Sequence, residues 1–265
     1  MHGCQDNMKG PVMLQAEQRD FYHEQGYLVL RDFFPPSLMA EAAEEADALL
    51  QRHDLISIHN LRCRWQINIY TGARQFETFD PVLDLSPVCA RIAADARLLA
   101  VLAALYGEEA CLFKDKLIFK PPGAKGYGLH QDWIAWPGFP RSFLTVLIPF
   151  DRADADNGCT QVFPGYHKQG ALSQEDGHYH ELPAEVIDER RGVHLELERG
   201  DVAIFGGFTP HRSAPNRSAR WRRQLFLSYN KHSDGGPQRD KHYQEFHRWI
   251  RARYAEPERK KLYFR

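Results

Sequence analysis

A mainly β chain with flanking helices, packed outside a central barrel or sandwich, is the fold class that this sequence predicts. Three observations carry it. From Cys111 onward, short apolar-rich runs (KLIFK, FLTVLIPF, TQVF, VHLEL, DVAIF, QLFLSYN) alternate with clusters of Pro, Gly, Asn and Asp, the texture of many short strands joined by turns. Helical spacing is confined to the two ends of the chain. The 265 residues, 43% hydrophobic, suffice for a full core, and no linker composition divides them, so a single domain over 1–265 is expected.

The elements follow in order. Residues 1–14 read as a loose N-terminal arm. EQRDFYHEQGYLVLRDFF reads as a short helix, a stop at Gly26 and a strand over Tyr27–Leu30. SLMAEAAEEADALLQRH places Leu38, Ala42, Ala46 and Leu49 on one face and Glu41, Glu44, Glu45 and Asp47 elsewhere, an amphipathic surface helix. A second helix has Ser86 as N-cap, Pro87 in its first turn, an apolar run to Tyr106 and Gly107 as its stop. In the β region, Gly200-Asp201 makes a turn before the DVAIF strand, and GGFTPHRSA supplies a further sheet edge. Pro215-Asn216 turns the chain toward a strand over Arg222–Asn230. Asp240 to Tyr254 returns to helical spacing, with Phe246, Trp249, Ile250 and Tyr254 along one face.

Composition narrows the function classes. Lys and Arg number 34 against 35 Asp and Glu, so there is no basic footprint for nucleic acid and no single-sign tail. No apolar run approaches the length of a membrane span, and MHGCQDNMKGPVMLQ lacks the apolar stretch of a secretory leader. Five scattered cysteines without a CxxC pair fit reduced thiols, and hence a cytoplasmic protein.

The chemistry concentrates in GYGLHQDWIAW, residues 126–136. Residues two apart on a strand project to one face, so His130 and Asp132 aim an imidazole and a carboxylate at one point while Gln131 points away. One more histidine would complete a facial set of two histidines and a carboxylate with three open positions, the arrangement of non-haem Fe(II) oxygenases. With 13 histidines in the chain, an isolated His-x-Asp is weak, and HYH at 178–180 is a rival with the same spacing, although its polar surroundings suit a solvated loop. His211, in the segment after DVAIF, suggests itself as the third ligand. Arg222, eleven residues later, has a guanidinium fork able to hold a carboxylate. Charge alone does not choose it from Arg217, Arg220 and Arg223.

Taken together, FYHEQGYLVLRDFF, KLIFKPPGAKGYGLHQDW, DADNGCTQVFPGYHK, GDVAIF and HRSAPNRSARWR resemble, in the same order, the phytanoyl-CoA dioxygenase family of Fe(II)/2-oxoglutarate oxygenases. The resemblance runs from about Phe21 to Asn230. It implies a double-stranded β-helix (jelly-roll, cupin-like) core. It also implies Fe(II), 2-oxoglutarate and O₂ as cofactor and co-substrates, and oxidation of a C–H bond of a small molecule with release of succinate and CO₂. By position it makes His130, Asp132 and His211 the metal ligands and Arg222 the anchor of the far carboxylate of 2-oxoglutarate. Ser213 matches a co-substrate contact. Lys116 and Leu147 match pocket-wall positions that are often Met and Trp in relatives, and Thr145 shares the strand face of Leu147. Relatives that halogenate lack the carboxylate, so Asp132 favours hydroxylation or a related oxidation.

Other segments read more plainly. Asn157-Gly158 and Pro164-Gly165 are turns, and His167 is structural. Trp133 and Trp136 are candidates for a substrate cleft or for the core. Arg62, Arg64, Gln66 and Asn68 alternate on a strand that either borders the cleft or faces solvent. Two other functions fit the same ligands: a non-catalytic jelly-roll binding protein, and a zinc hydrolase. The hydrolase alone would keep its activity without O₂ and 2-oxoglutarate.

Overall fold

The computed structural model describes residues 14–265, so the expected arm lies outside the described residues except for Leu14. Helix α1 (Ala16–Gln25) ends at Gly26, whose φ of 82° is left-handed. A Cβ at Gly26 would sit 2.4 Å from the His167 ring, so glycine is needed both for the turn and for the close approach. The Nε2 of His167 lies 3.0 Å from the His23 carbonyl and ties down the end of α1, the structural role expected of it.

Strand β1 (Tyr27–Leu30) leads to α2 (Pro36–Leu50), then to β2 (Cys63–Ile67) and β3 (Arg74–Phe79). Met39, Ala42, Ala43, Ala46 and Leu49 are the buried face of α2, so Met39 goes deeper than the expected Leu38. The single helix expected from Pro87 to Tyr106 is two, α3 (Pro87–Ala93) and α4 (Ala96–Tyr106). Ser86 caps the first through the Cys89 amide, and Asp95 caps the second by accepting from the amides of Arg97 and Leu98. An aspartate that takes two backbone donors ends one helix and starts the next.

Strands β4 (Ala110–Lys120), β5 (Tyr127–His130), β6 (Leu144–Pro149), β7 (Thr160–Val162), β8 (Val193–His194), β9 (Val202–Gly206), β10 (His211–Ser213) and β11 (Arg222–Lys231) follow, and α5 (Arg239–Ala252) comes after them. They form two antiparallel sheets facing each other as a jelly roll. The major sheet runs β1-β9-β6-β11-β4-β3-β2 and the minor sheet β5-β10-β7-β8. Strand β10 is interior to the minor sheet, between β5 and β7, and not the edge that GGFTPHRSA suggested.

Alternation on the major sheet builds two layers. Leu144, Val146 and Ile148 of β6, with Leu225 and Leu227 of β11, pack under α2, α3 and α4. Leu147 of β6 and Phe205 of β9 turn the other way and meet Cys159, Val162, Leu195 and Leu197 between the sheets. Helix α5 closes one end. Its anchor is Tyr243, whose hydroxyl accepts from the Asp115 amide (2.9 Å) and donates to the Asp115 carbonyl (2.6 Å). Phe246, Trp249 and Ile250 are only half-buried and Tyr254 is exposed, so the expected face of this helix is not its packing face.

Candidate metal centre and its cavity

His130 ends β5, and the antiparallel register sets it directly opposite His211 of β10. The two rings lie 4.2 Å apart between centroids. Asp132 follows just past the strand end, its Oδ1 3.8 Å from His130 Nε2 and 3.7 Å from His211 Nε2. One ligand atom from each residue lies within 4.8 Å of the others, close enough to share one ion.

The donor set is prepared for a cation. His130 Nδ1 lies 2.8 Å from the Gly128 carbonyl and His211 Nδ1 3.0 Å from the Thr209 carbonyl. A carbonyl only accepts, so each Nδ1 carries the proton and each Nε2 keeps its lone pair for a metal. Burial first, and then the neighbouring His211, pulls His130 down to about 3, so its imidazole is neutral at physiological pH. Burial alone would raise the Asp132 carboxyl, but its neighbours hold it at about 2, the two imidazoles acting on it only when protonated and Lys116 as a standing charge. Thr145 donates to Asp132 Oδ2 at 2.8 Å, which leaves Oδ1 directed at the imidazoles. Between the ligands, Gln131 donates to the carbonyls of Gly170 and Phe208 and accepts from the Leu172 amide. Its turn away from the metal face fixes the backbone that spaces His130 and Asp132.

Arg222 lies deeper, 1% exposed. Its Nη1 donates to the Gly158 carbonyl, its Nε has no partner among the described residues, and no carboxylate pairs with it there. An unpaired buried charge costs several kcal/mol, a cost that an arriving anion would offset. Burial lowers the guanidinium only to about 10, and it stays charged. Ser213 lines the same recess, its hydroxyl accepting from Lys120 Nζ at 3.1 Å. HYH at 178–180 is a loop in which His180 pairs with Asp176 at 2.8 Å. Only its Tyr179 reaches the cavity, 5.3 Å from the His130 ring.

The phytanoyl-CoA dioxygenase (PhyH) profile matches residues 22–224. The chain belongs to the phytanoyl-CoA dioxygenase family. Among its relatives, the 2-aminoethylphosphonate dioxygenase of an uncultured bacterium (HF130_AEPn_1) is 28% identical over 225 residues, covering 83% of this chain and 82% of that one. The methylphosphonate hydroxylase of Gimesia maris is 29% identical over 234 residues, 84% of this chain and 83% of the other. EctD from S. alaskensis, solved with 2-oxoglutarate and 5-hydroxyectoine, superposes with a TM-score of 0.67 at 25% identity, covering 85% and 80% of the two chains.

In this member of the family, several expected contacts fall elsewhere. Leu147 sits in the apolar layer between the sheets and not on the cavity wall. Thr145, placed with Leu147 by the resemblance, does line the cavity, and its one hydroxyl proton goes to Asp132. Trp133 is buried against Phe208 (4.9 Å between centroids) beneath Arg141, whereas Trp136 lines the cavity and meets Trp249 at 5.9 Å. The alternating Arg62, Arg64, Gln66 and Asn68 do not share one role. Gln66 lines the cavity, but Arg62 clamps Asp84 and Arg64 faces the Leu61 and Cys63 carbonyls. Asn68 organises the turn through the Tyr70 and Thr71 amides.

Sequence reasoning missed Glu77, Tyr127 and Lys120. Tyr127 donates to Glu77 Oε2 at 2.6 Å, and burial raises that carboxyl. Lys120 Nζ donates to the Gly158 and Ala214 carbonyls and to Ser213. Burial, then Arg222, pulls it down to about 6. The only signal was polar letters inside otherwise apolar runs, RQFETF and KLIFK.

Proposed function

We propose that His130, Asp132 and His211 hold Fe(II), that Arg222 with Ser213 receives the far carboxylate of 2-oxoglutarate, and that the adjoining cavity presents a C–H bond of a small molecule to the metal. The chain is an Fe(II)- and 2-oxoglutarate-dependent dioxygenase, and these assignments give its chemistry a place. The observation that carries them is the pairing of a three-residue donor set, both Nε2 atoms free, with a buried guanidinium that has no anion of its own. Bound iron supplies the activation of O₂, coupled to decarboxylation of 2-oxoglutarate to succinate and CO₂.

The residues' part is positional. The carbonyls of Gly128 and Thr209 fix the tautomer and tilt of the two imidazoles. Thr145 orients the carboxylate. Arg222 sets the reach of the co-substrate, and the aromatic walls exclude water from the reacting centre. The relatives are named for small phosphonates, which supports a small-molecule substrate here. No described helix is long and apolar enough to cross a membrane. The buried free thiols Cys63, Cys89, Cys111 and Cys159 suit the reducing cytoplasm.

The test is a pair of arginines in one cationic run. Arg222→Gln should raise the 2-oxoglutarate requirement by roughly thirtyfold or more, since losing the partner of a buried charge costs about 2–5 kcal/mol. Arg220→Gln should leave it unchanged, because Arg220 is spent on Asp154 at 2.6 Å near the surface. Succinate formation against 2-oxoglutarate concentration reads both. Equal responses would remove Arg222 from its assigned role.

A further inference from the structure

Three lysines share one face of β4: Lys114 and Lys116, two residues apart and both lining the cavity, and Lys120, four residues further on. Two of them are occupied. Lys114 lies 3.3 Å from the Asp80 carboxylate, and Lys120 is bonded to two carbonyls and Ser213. Lys116, between them, is only half-buried and has no hydrogen-bond or ion-pair partner among the described residues. Its Nζ rests 5.0 Å over the Phe226 ring, the residue opposite it in register on β11. Its charge is felt at Asp132, Asp80 and Glu77, yet it pairs with none of them.

Among the described residues, Arg222 and Lys116 are the cavity cations out of full solvent exposure that have no anion; Lys125 and Lys241, also unpaired, stand exposed at its rim. On the reading above, Arg222 would take the far end of 2-oxoglutarate, and His130, Asp132 and His211 would hold the metal at which its other end reacts. Lys116 is then left for another molecule. The cavity as a whole, the three metal ligands and the Arg222 recess included, holds about 610 Å³, and part of its wall is aromatic. Phe113, placed by the β4 bulge opposite Ser228 and Tyr229, packs 5.1 Å from Phe139 and 5.7 Å from Phe143. Trp249 of α5 stacks with Phe246 at 6.0 Å and meets Trp136.

We infer that the substrate is an organic oxyanion with an apolar, ring-sized body, its anionic head seated on Lys116 and its body against the Phe113, Trp136 and Trp249 wall. The lysine expected at a co-substrate position is therefore a substrate-specificity residue. A head group as small as methylphosphonate would meet Lys116 but leave the aromatic wall untouched. The inference rests on the assignment of Arg222 to 2-oxoglutarate, and its test separates the two.

The full chain, loaded anaerobically with Fe(II) and 2-oxoglutarate, is titrated calorimetrically with phenylphosphonate, benzoate, methylphosphonate and benzyl alcohol. Phenylphosphonate or benzoate should bind, and whichever does identifies the head group as phosphonate or carboxylate. Methylphosphonate should bind about tenfold more weakly for want of the ring, and neutral benzyl alcohol weaker still. Lys116→Gln should lower affinity for the aromatic anion about tenfold or more while 2-oxoglutarate binding stays put, and Lys116→Arg should restore most of it. Retained 2-oxoglutarate binding also shows that the variant is folded. Failure of both aromatic anions to bind the wild type overturns the substrate class. A Lys116→Gln variant that loses 2-oxoglutarate and keeps the aromatic anion overturns the role of Lys116. Unchanged 2-oxoglutarate binding in Arg222→Gln overturns instead the assignment on which the inference rests.

Discussion

Thr145 shows how much of the site depends on one supporting hydrogen bond. Its hydroxyl holds Asp132 Oδ2 at 2.8 Å, so Thr145→Val keeps the shape of the side chain and removes the bond. Supporting contacts of this kind are worth about 10–100-fold in metal affinity, and anaerobic Fe(II) titration of the variant should show a loss in that range with the fold intact. Affinity equal to wild type would mean that the two imidazoles alone orient the carboxylate. At this scale the sequence was partly legible. His130 and Asp132 converge as alternation predicted, although Asp132 lies in a bend just past the end of β5, and Arg222 follows His211 at a spacing that the family resemblance made readable. Thr145 as the partner of Asp132 was not legible, because it depends on the facing of two sheets that local spacing does not encode. For the same reason the sequence left Trp133 open between cleft and core, and Asn68 between cleft and solvent. Their residue types suit a cleft, and only packing shows that one lies under Arg141 and the other inside a turn.

Among the elements, α5 carries the clearest pH signature. His242 sits between Phe113 (4.4 Å) and Phe246 (5.7 Å), and its Nε2 has no partner among the described residues. Burial, reinforced by Lys114, pulls it from 6.5 down to about 3. Burial, with Arg64 second, takes His247 to about 4. The unfolded chain protonates both near the ordinary histidine value, and the folded chain does so only at these lower ones. Between them the unfolded state binds more protons, so stability is lost as pH falls from about 6.5 toward 4. His242→Phe, which keeps the stack, should make that loss shallower in urea titrations across this range. An unchanged slope would place the proton uptake elsewhere. Element boundaries were readable where a cap or stop is local, as at Ser86, Gly26 and Gly107. The break at Asp95 was missed because AADARLLA is helical by composition, and only the competition of one carboxylate for two amides ends α3. On α5 the anchor is Tyr243, whose hydroxyl finds the Asp115 backbone across the molecule, and a count of apolar spacing weights ring size over such a bond.

For the whole molecule, the jelly-roll class followed from the density of short strands together with the resemblance, but the spacing of the two sheets did not. That spacing is set by the layer of Leu147, Phe205, Val162 and Leu197. Leu147→Ala should cost about 2–5 kcal/mol by urea denaturation, the usual range for a large-to-small change in a filled core. It should also weaken 2-oxoglutarate binding, although Leu147 does not line the cavity. A destabilised variant with unaltered co-substrate affinity would separate the two effects. The reason for coupling them lies in where the parts are mounted. His130 and His211 stand on the minor sheet and Arg222 on the major one, with Thr145 to Asp132 and Lys120 to Ser213 as rungs between them. A molecule gripped at both ends by opposite sheets acts as a tie rod. Its binding would damp the breathing of the sandwich, and amide hydrogen exchange in β5, β7 and β10 should slow in its presence. On the proposed assignment the same arrangement would work as a gauge, the apolar filling between the sheets setting a jaw width, and 2-oxo diacids a methylene longer or shorter than 2-oxoglutarate should bind more weakly in a calorimetric titration.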